Sequence, residues 1–158
     1  MKPNEVLDLL EWSGAIMSGH FKLTSGKHSN QYIEKFRLLE NPIALDKICS
    51  TMADIYRNKK IDLVVSAAIG GILLVGGGGR YLNVKHIFSE RIDGKMSFKR
   101  GFTIEKKQNV LIVEDIVTTG GSINEIISLV ENYDANIIGI ISIVDRNDKK
   151  KIFNYPYE

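Results

Sequence analysis

Residues 110–122, Val-Leu-Ile-Val-Glu-Asp-Ile-Val-Thr-Thr-Gly-Gly-Ser, constrain what this 158-residue chain can fold into more than any other segment. Four apolar residues run into the carboxylates Glu114 and Asp115, Ile116 and Val117 follow, and a Thr/Gly/Ser loop then opens onto the helical spacing of residues 123–133. A short apolar run bounded by polar and glycine signals reads as a buried strand, and the loop as its junction with a helix. That order is expected to place an acidic pair at the end of the strand and a cradle of free amides beside it, both facing one small ligand.

The chemistry follows from the residue types. The first N–H groups of a helix have no intrahelical partner and sit at the positive end of its dipole, so a glycine-rich approach lets a phosphate come close to them. Thr118, Thr119 and Ser122 add hydroxyl donors around Gly120 and Gly121. Glu114 and Asp115 would repel a phosphate in that cup, so they address something uncharged or cationic next to it, either sugar hydroxyls or a hydrated divalent metal. The segment therefore suits a sugar phosphate. Carboxylates at strand ends also serve as helix caps, and Gly-Gly pairs as tight connections, but here an acidic pair, two threonines, two glycines and a serine all fall within residues 114–122 at one junction. No Gly-Lys-Ser/Thr follows, and the glycine spacing is not that of a dinucleotide fingerprint.

Along the chain, apolar strands alternate with helical patterns. A helix is expected over residues 4–13, ended by Gly14; strands over 19–24 and 31–36 with a turn at 25–30; and a helix from Pro42 to about residue 58. Strands are expected at 61–67, 84–88, 110–113 and 136–144, a helix from 123 to 133, and a two-stranded flap from 96–98 and 101–104. This is an α/β pattern, with a mainly parallel central sheet carrying helices on both faces and ligands outside the C-terminal ends of its strands. Ala67-Ala68-Ile69-Gly70-Gly71, Ser89-Glu90-Arg91, the acidic loop and Asp145-Arg146 all fall at such ends. One stretch conflicts with its context. Gly76-Gly77-Gly78-Gly79 lies where a helix should link Gly71 to Tyr81, and each glycine there costs about 1 kcal/mol relative to alanine. Either the helix is short and frayed or the segment is a loop.

The length suits one domain over residues 1–158. With 44% hydrophobic and 25% charged residues and a net charge of +2, the composition is that of a soluble globular protein without a strong nucleic-acid signal. Cys49 is the only cysteine, which excludes an internal disulfide and a cysteine-ligated metal. His20, His28 and His86 lack the spacing of a metal cluster. The N-terminus leads into an amphipathic pattern rather than an apolar leader, and no stretch approaches the length of a membrane span. A cytoplasmic protein with no nucleic-acid or membrane partner is expected.

Residues 110–122 resemble the phosphoribosyl pyrophosphate signature of the type I phosphoribosyltransferases: an apolar strand, two acidic residues, two apolar positions and a Thr/Gly/Ser loop. The likeness covers most of the chain and is greatest to the family's orotate-using members, in their short bacterial and archaeal form. Ser13-Gly14-Ala15-Ile16 and Gly19-His20-Phe21-Lys22-Leu23-Thr24-Ser25-Gly26-Lys27-His28-Ser29 look like their hood, and Ser66-Ala67-Ala68-Ile69-Gly70-Gly71-Ile72 like their pyrophosphate loop. Phe88-Ser89-Glu90-Arg91, Lys95-Met96 and Arg100-Gly101-Phe102 are similar to their flexible catalytic loop, and Val144-Asp145-Arg146 to the position of their base-binding arginine.

The resemblance implies the phosphoribosyltransferase fold, with residues 1–36 as the N-terminal helix and hood and 89–104 as a mobile catalytic loop. It implies transfer of ribose 5-phosphate from phosphoribosyl pyrophosphate to orotate, giving orotidine 5-phosphate and pyrophosphate in pyrimidine biosynthesis. Mg2+ is implied as cofactor, held mainly through pyrophosphate and water with no direct protein ligand, and so is a homodimer exchanging its loops between active sites. Glu114, Asp115, Ile116, Val117, Thr118, Thr119, Gly120, Gly121 and Ser122, with Gly70, would bind the donor. Lys95 and Arg91 would contact the donor and act in catalysis with Asp115, Lys99 and Arg100 being alternative cations. Thr118, Arg146 and Lys27 would hold orotate, whose carboxylate suits an arginine fork.

Some positions depart from the longer form of the enzyme, which has a lysine in the pyrophosphate loop and a Lys-X-His pair in the catalytic loop. Ile69-Gly70 and Asp93-Gly94-Lys95-Met96 stand there. The sequence ends at Tyr155-Pro156-Tyr157-Glu158, and a final strand is expected to be missing. A phosphoribosyltransferase for another base, and a catalytically weak regulatory module that binds phosphoribosyl pyrophosphate, are the alternatives.

Overall fold

The structure, a computed structural model, describes residues 1–23, 26, 28–147 and 152–158. Lys27, expected near orotate, lies outside the described residues. The chain divides into two compact units, Met1–Ile48 and Cys49–Glu158.

In the first unit, α1 (Pro3–Trp12) starts with proline at a position where no N–H is needed, and the Lys2 N–H donates to Glu5 Oε2 at 2.7 Å. Leu9 and Leu10 are its buried stripe, and Gly14, at φ +71°, turns the chain out of it. β1 (Ile16–Lys22) then pairs antiparallel with β2 (His28–Ile33), from Ile16 opposite Ile33 to Lys22 opposite His28. Both strands start earlier than alternation suggests. Ser29 and Asn30, expected in a turn, are in β2, and Phe36 belongs to a short helix, α2 (Lys35–Leu39). Most residues of this hairpin are exposed, so its ends are set by ladder hydrogen bonds and carry little hydrophobic signal. α3 (Pro42–Tyr56) is capped by the Asn41 side chain, which accepts from the Ile43 and Ala44 N–H groups at 3.0 and 3.1 Å.

The second unit begins within α3 at Cys49 and carries β3 (Leu63–Ala67), α4 (Gly71–Leu82), β4 (Lys85–Ile92), β5 (Lys95–Ser97), β6 (Asn109–Val117), α5 (Gly121–Glu131) and β7 (Asn136–Asp145). The sheet order is β5-β4-β3-β6-β7, parallel except for β5. Every residue of β3 is buried, as expected of a strand covered on both faces. Leu63, Val65, Ile112, Ile123, Ile126 and Ile140 lie at the centre of the core. The expected α/β architecture is therefore present, with four differences in its parts.

First, β4 does not stop at Phe88. It runs on through Ser89, Glu90 and Arg91 and folds back on β5, with Glu90 opposite Ser97 and Ile92 opposite Lys95. The turn is Asp93-Gly94, with φ +48° and +80°, the pair of left-handed residues that a two-residue hairpin favours. The flap is thus β4 with β5, and residues 101–104 form no strand. Second, β6 continues past the acidic pair to Val117, so Glu114 and Asp115 sit inside the strand rather than at its end.

Third, the glycine run is the middle of one unbroken helix, α4. A side chain at Gly77 would collide with Cys49, whose Cβ lies 2.7 Å from where a methyl would go, and one at Gly79 would meet the His86 Cβ at 2.9 Å. The glycines let neighbouring chain approach the helix more closely than any side chain would permit, which offsets their poor helix propensity. Fourth, the outer edge of β7 is not bare. The Ile140 N–H donates to the Pro156 carbonyl at 2.9 Å, and the Ser142 N–H to the Glu158 carbonyl at 3.1 Å. The Glu158 N–H donates back to the Ile140 carbonyl at 3.0 Å, leaving Tyr157 in a parallel bridge with Ile140.

Candidate active site

Parallel strands deliver their C-terminal ends to one side of the sheet, and β6 and β7 are neighbours there. Beyond Val117, residues 118–120 lead into α5, whose N-cap is Gly120 at φ +76°. A Cβ at Gly120 would also come within 2.9 Å of the Phe153 ring. Glycine is therefore required twice over, by backbone conformation and by space. Thr118, Thr119 and Gly121 are exposed and Ser122 half-buried, so the first turn of α5 is open to an anion.

Glu114 and Asp115 are 8% and 3% exposed. Each carboxylate accepts from the following amide: the Asp115 N–H donates to Glu114 Oε1 at 3.0 Å, and the Ile116 N–H to Asp115 Oδ1 at 2.6 Å. Such bonds compensate part of the cost of burying charge. Across the ladder Glu114 lies opposite Ser142, whose hydroxyl shares a 2.8 Å hydrogen bond with the Tyr157 phenol. Burial pushes that phenol up to about 12; the Ser142 bond opposes the rise, while the charges of Asp145 and Glu114 add to it.

Arg146 joins the same end of the sheet. Its N–H donates to the Val117 carbonyl at 2.9 Å, and the amide of Asn147 donates to the Thr118 carbonyl at 3.0 Å. The exposed side chains of Arg146 and Thr118 thus stand on adjoining strand ends. Past β3, the Ala68 N–H donates to the Ser89 carbonyl at 2.8 Å, the Ala68–Ile69 peptide is cis, and Gly70 is the buried N-cap of α4. Ile69, beside Gly70 in the same loop, is 75% exposed.

The expected loop arginines are engaged by carboxylates of their own. Arg91 forks onto Glu125 of α5 at 2.9 and 2.6 Å and donates to the Gly94 carbonyl at 2.7 Å. Arg100 forks onto Glu90 at 3.0 and 2.9 Å. Hydrogen bonds within these pairs hold Glu125 and Glu90 below the usual carboxylate range and raise both arginines. Lys95 is exposed beside an open groove of about 380 Å3 that Met96, Asn124, Glu125 and Leu129 also line.

The structure therefore gathers Thr118 to Ser122 and Arg146 beyond two adjacent strand ends, with the acidic pair inside β6 just before them, sets Gly70 after β3, and holds Arg91 and Lys95 on a hairpin beside α5. Sequence reasoning missed Glu125, Asn147, Phe153 and Tyr157. The alternation of Phe153, Tyr155 and Tyr157 was the available signal for the last segment, since period two marks extended chain with one face on a core.

Residues 36–156 match the phosphoribosyl transferase domain, and the chain belongs to the phosphoribosyltransferase family. Within the family it is 45% identical over 150 residues to the orotate phosphoribosyltransferase of Chlorobium phaeobacteroides (strain DSM 266), covering 95% of this chain and 78% of that one. Its fold superimposes with a TM-score of 0.76 on the crystal structure of orotate phosphoribosyltransferase from Aeropyrum pernix, at 23% identity over 90% of this chain and 82% of that one. The TM-score is also 0.76 with adenine phosphoribosyltransferase from Saccharomyces cerevisiae, at 19% identity and covering 98% of each chain. Equal likeness to the two enzymes means that the fold does not choose the base.

Proposed function

We propose that this chain transfers the ribose 5-phosphate of phosphoribosyl pyrophosphate to orotate, releasing pyrophosphate and forming orotidine 5-phosphate, a step of pyrimidine biosynthesis. The observation that carries this reading is the 45% identity to an orotate phosphoribosyltransferase over 95% of the chain. The site supplies chemistry of the right kind. Departure of pyrophosphate leaves a sugar with oxocarbenium character, so the protein must hold the reactants in line, neutralise the leaving group and exclude water, and needs no strong base.

In this reading the amides and hydroxyls of Thr118, Thr119, Gly120, Gly121 and Ser122 take the 5-phosphate, and Glu114 and Asp115 accept from the ribose hydroxyls. Arg146 forks onto the carboxylate of orotate beside Thr118, and Gly70 lets the chain after β3 approach pyrophosphate. Arg91 and Lys95 bring positive charge to the leaving group when the β4–β5 hairpin swings over it. Mg2+ is the proposed cofactor, held mainly through pyrophosphate and water, and the hard oxygen donors of Glu114 and Asp115 are of the class that its waters can meet. When bound it offsets the negative charge of pyrophosphate.

No helix among the described residues is long and apolar enough to cross a membrane, and we place the protein in the cytoplasm. A homodimer is part of the same proposal. Apolar side chains exposed on each unit, among them Trp12, Phe36 and Ile43 in the first and Ile55 and Leu73 in the second, offer surface for a second copy.

The test is to mix the protein with phosphoribosyl pyrophosphate, Mg2+ and, in separate reactions, orotate, adenine, hypoxanthine and uracil, and to follow pyrophosphate release. Release with orotate alone is expected. Release with another base but not orotate would reassign the acceptor, and donor binding without release on any base would leave a regulatory module.

A further inference from the structure

The segment of residues 152–158 touches the phosphate loop at Gly120 and, on the strand next to the acidic pair, Ser142. Phe153, 4% exposed, lies against Gly120 so closely that a methyl there would come within 2.9 Å of its ring. The same ring meets Tyr157 edge to face, with centroids 5.0 Å apart and planes at 88°. Tyr157 in turn shares the 2.8 Å hydrogen bond with Ser142, the residue opposite Glu114 on the neighbouring strand. A continuous chain of contacts therefore runs from the N-cap of α5 through two aromatic rings to the strand position beside the buried acid.

The segment is itself fixed. Three backbone hydrogen bonds of 2.9 to 3.1 Å tie Pro156 and Glu158 to Ile140 and Ser142, and the Tyr155 phenol donates to Glu131 near the end of α5 at 2.6 Å. It grips α5 at its C-terminal end through Tyr155 and at its N-terminal end through Phe153. An aromatic ring has few rotamers, and edge-to-face packing favours one arrangement over others. Such a strap can fix where the loop stands relative to the acidic strand.

We infer that Phe153 and Tyr157 are positioning residues for the sugar-phosphate donor: together they set the distance between the phosphate loop at Gly120 and the ribose-facing acids of β6. The inference rests on the reading of residues 114–122 as the donor site. A donor gripped at its 5-phosphate and at its ribose hydroxyls needs both grips in register, and a small displacement of one against the other weakens binding before it alters chemistry. The base, held by Arg146 and Thr118, should feel this less.

The experiment is Phe153→Leu, which keeps an apolar side chain but loses the flat ring against Gly120 and the contact with Tyr157. The KM for phosphoribosyl pyrophosphate is expected to rise about tenfold while kcat and the KM for orotate change less than about twofold. Calorimetric titration with the donor should show the same loss. A fall in kcat at unchanged donor KM, or an equal rise in both KM values, would overturn the inference, since a merely structural ring gives one of these. Unchanged donor affinity would overturn it as well. If Phe153→Leu does not fold, Tyr157→Phe replaces it, removing only the phenol that meets Ser142. A donor-selective rise of about threefold is then expected, and an unchanged KM would sink the idea. Failure of the wild-type protein to bind the donor would instead remove the underlying reading of residues 114–122.

Discussion

Arg91 of β4 holds Glu125 of α5 through two parallel hydrogen bonds of 2.9 and 2.6 Å, so the cation proposed for the leaving group rests on a helix carboxylate. Both side chains remain partly exposed, at 46% and 39%, and an exposed ion pair is readily exchanged for another anion. The pair is thus suited to a hairpin that must let go. Glu125→Gln should speed amide exchange in β5 without abolishing turnover, and exchange unchanged from wild type would mean that other contacts hold the hairpin.

The same pair makes a pH prediction. The Arg91 bond holds the Glu125 carboxyl below its ordinary 4.5, so below that pH the unfolded chain binds more protons than the folded one. The stabilisation is complete above 4.5 and is lost as pH falls through the lowered value. NMR titration of Glu125 should show the depression, and Arg91→Ala should return the carboxyl toward 4.5. A titration unaffected by that substitution would assign the shift to another cause.

Asp115 and Arg146 should divide the substrates between them. Asp115→Asn removes a buried charge proposed to face the ribose and should raise the KM for phosphoribosyl pyrophosphate more than that for orotate. Arg146→Ala removes a charged fork worth about 1.5–3 kcal/mol, and the KM for orotate should rise by roughly ten- to a hundredfold. Equal effects of both variants on both substrates would contradict the division.

Lys95 is exposed on the hairpin and lines a groove with Met96 and Glu125. If it meets pyrophosphate only after the hairpin moves, Lys95→Ala should lower kcat about 10- to 1000-fold with little change in donor affinity. Pre-steady-state mixing separates the two. A comparable loss of ground-state binding would make it a binding contact.

The features that came through from sequence are those that one local pattern determines. β3 and β6 are apolar runs buried on both faces, β7 is an apolar run buried at its middle, and the acid-acid-loop order of residues 114–122 needs no distant partner to be read. Other features depend on what sits opposite. Asp93-Gly94 is a hairpin turn in its own right, yet the polar run Ser89-Glu90-Arg91 hid the strand leading into it, because Ser89 is buried without being apolar and only Arg91 of the three is exposed. Glu114 and Asp115 looked like a strand end because carboxylates are rarely buried, whereas β6 carries both within the sheet with amides bonded to them. The role of Phe153 is invisible without Gly120, more than thirty residues away in the chain.

Gly76, Gly77 and Gly79 give the last prediction, since only their surroundings distinguish them. All three are inside α4, and propensity alone says that each replacement by alanine should stabilise by about 1 kcal/mol. At Gly76 nothing lies within 4 Å of the added methyl, so Gly76→Ala should gain roughly 0.5–1 kcal/mol. At Gly77 the methyl meets Cys49, which is 1% exposed and has no room to retreat. Overpacking of this kind costs about 1–3 kcal/mol and should exceed the propensity gain. At Gly79 the neighbour is His86, whose ring is exposed and can swing, though its Cβ at 2.9 Å cannot. Gly79→Ala should fall between the other two. Urea unfolding of the three variants checks the order. If Gly77→Ala proved as stable as Gly76→Ala, the close approach of α3 to α4 at Cys49 would not be what the glycine run is for.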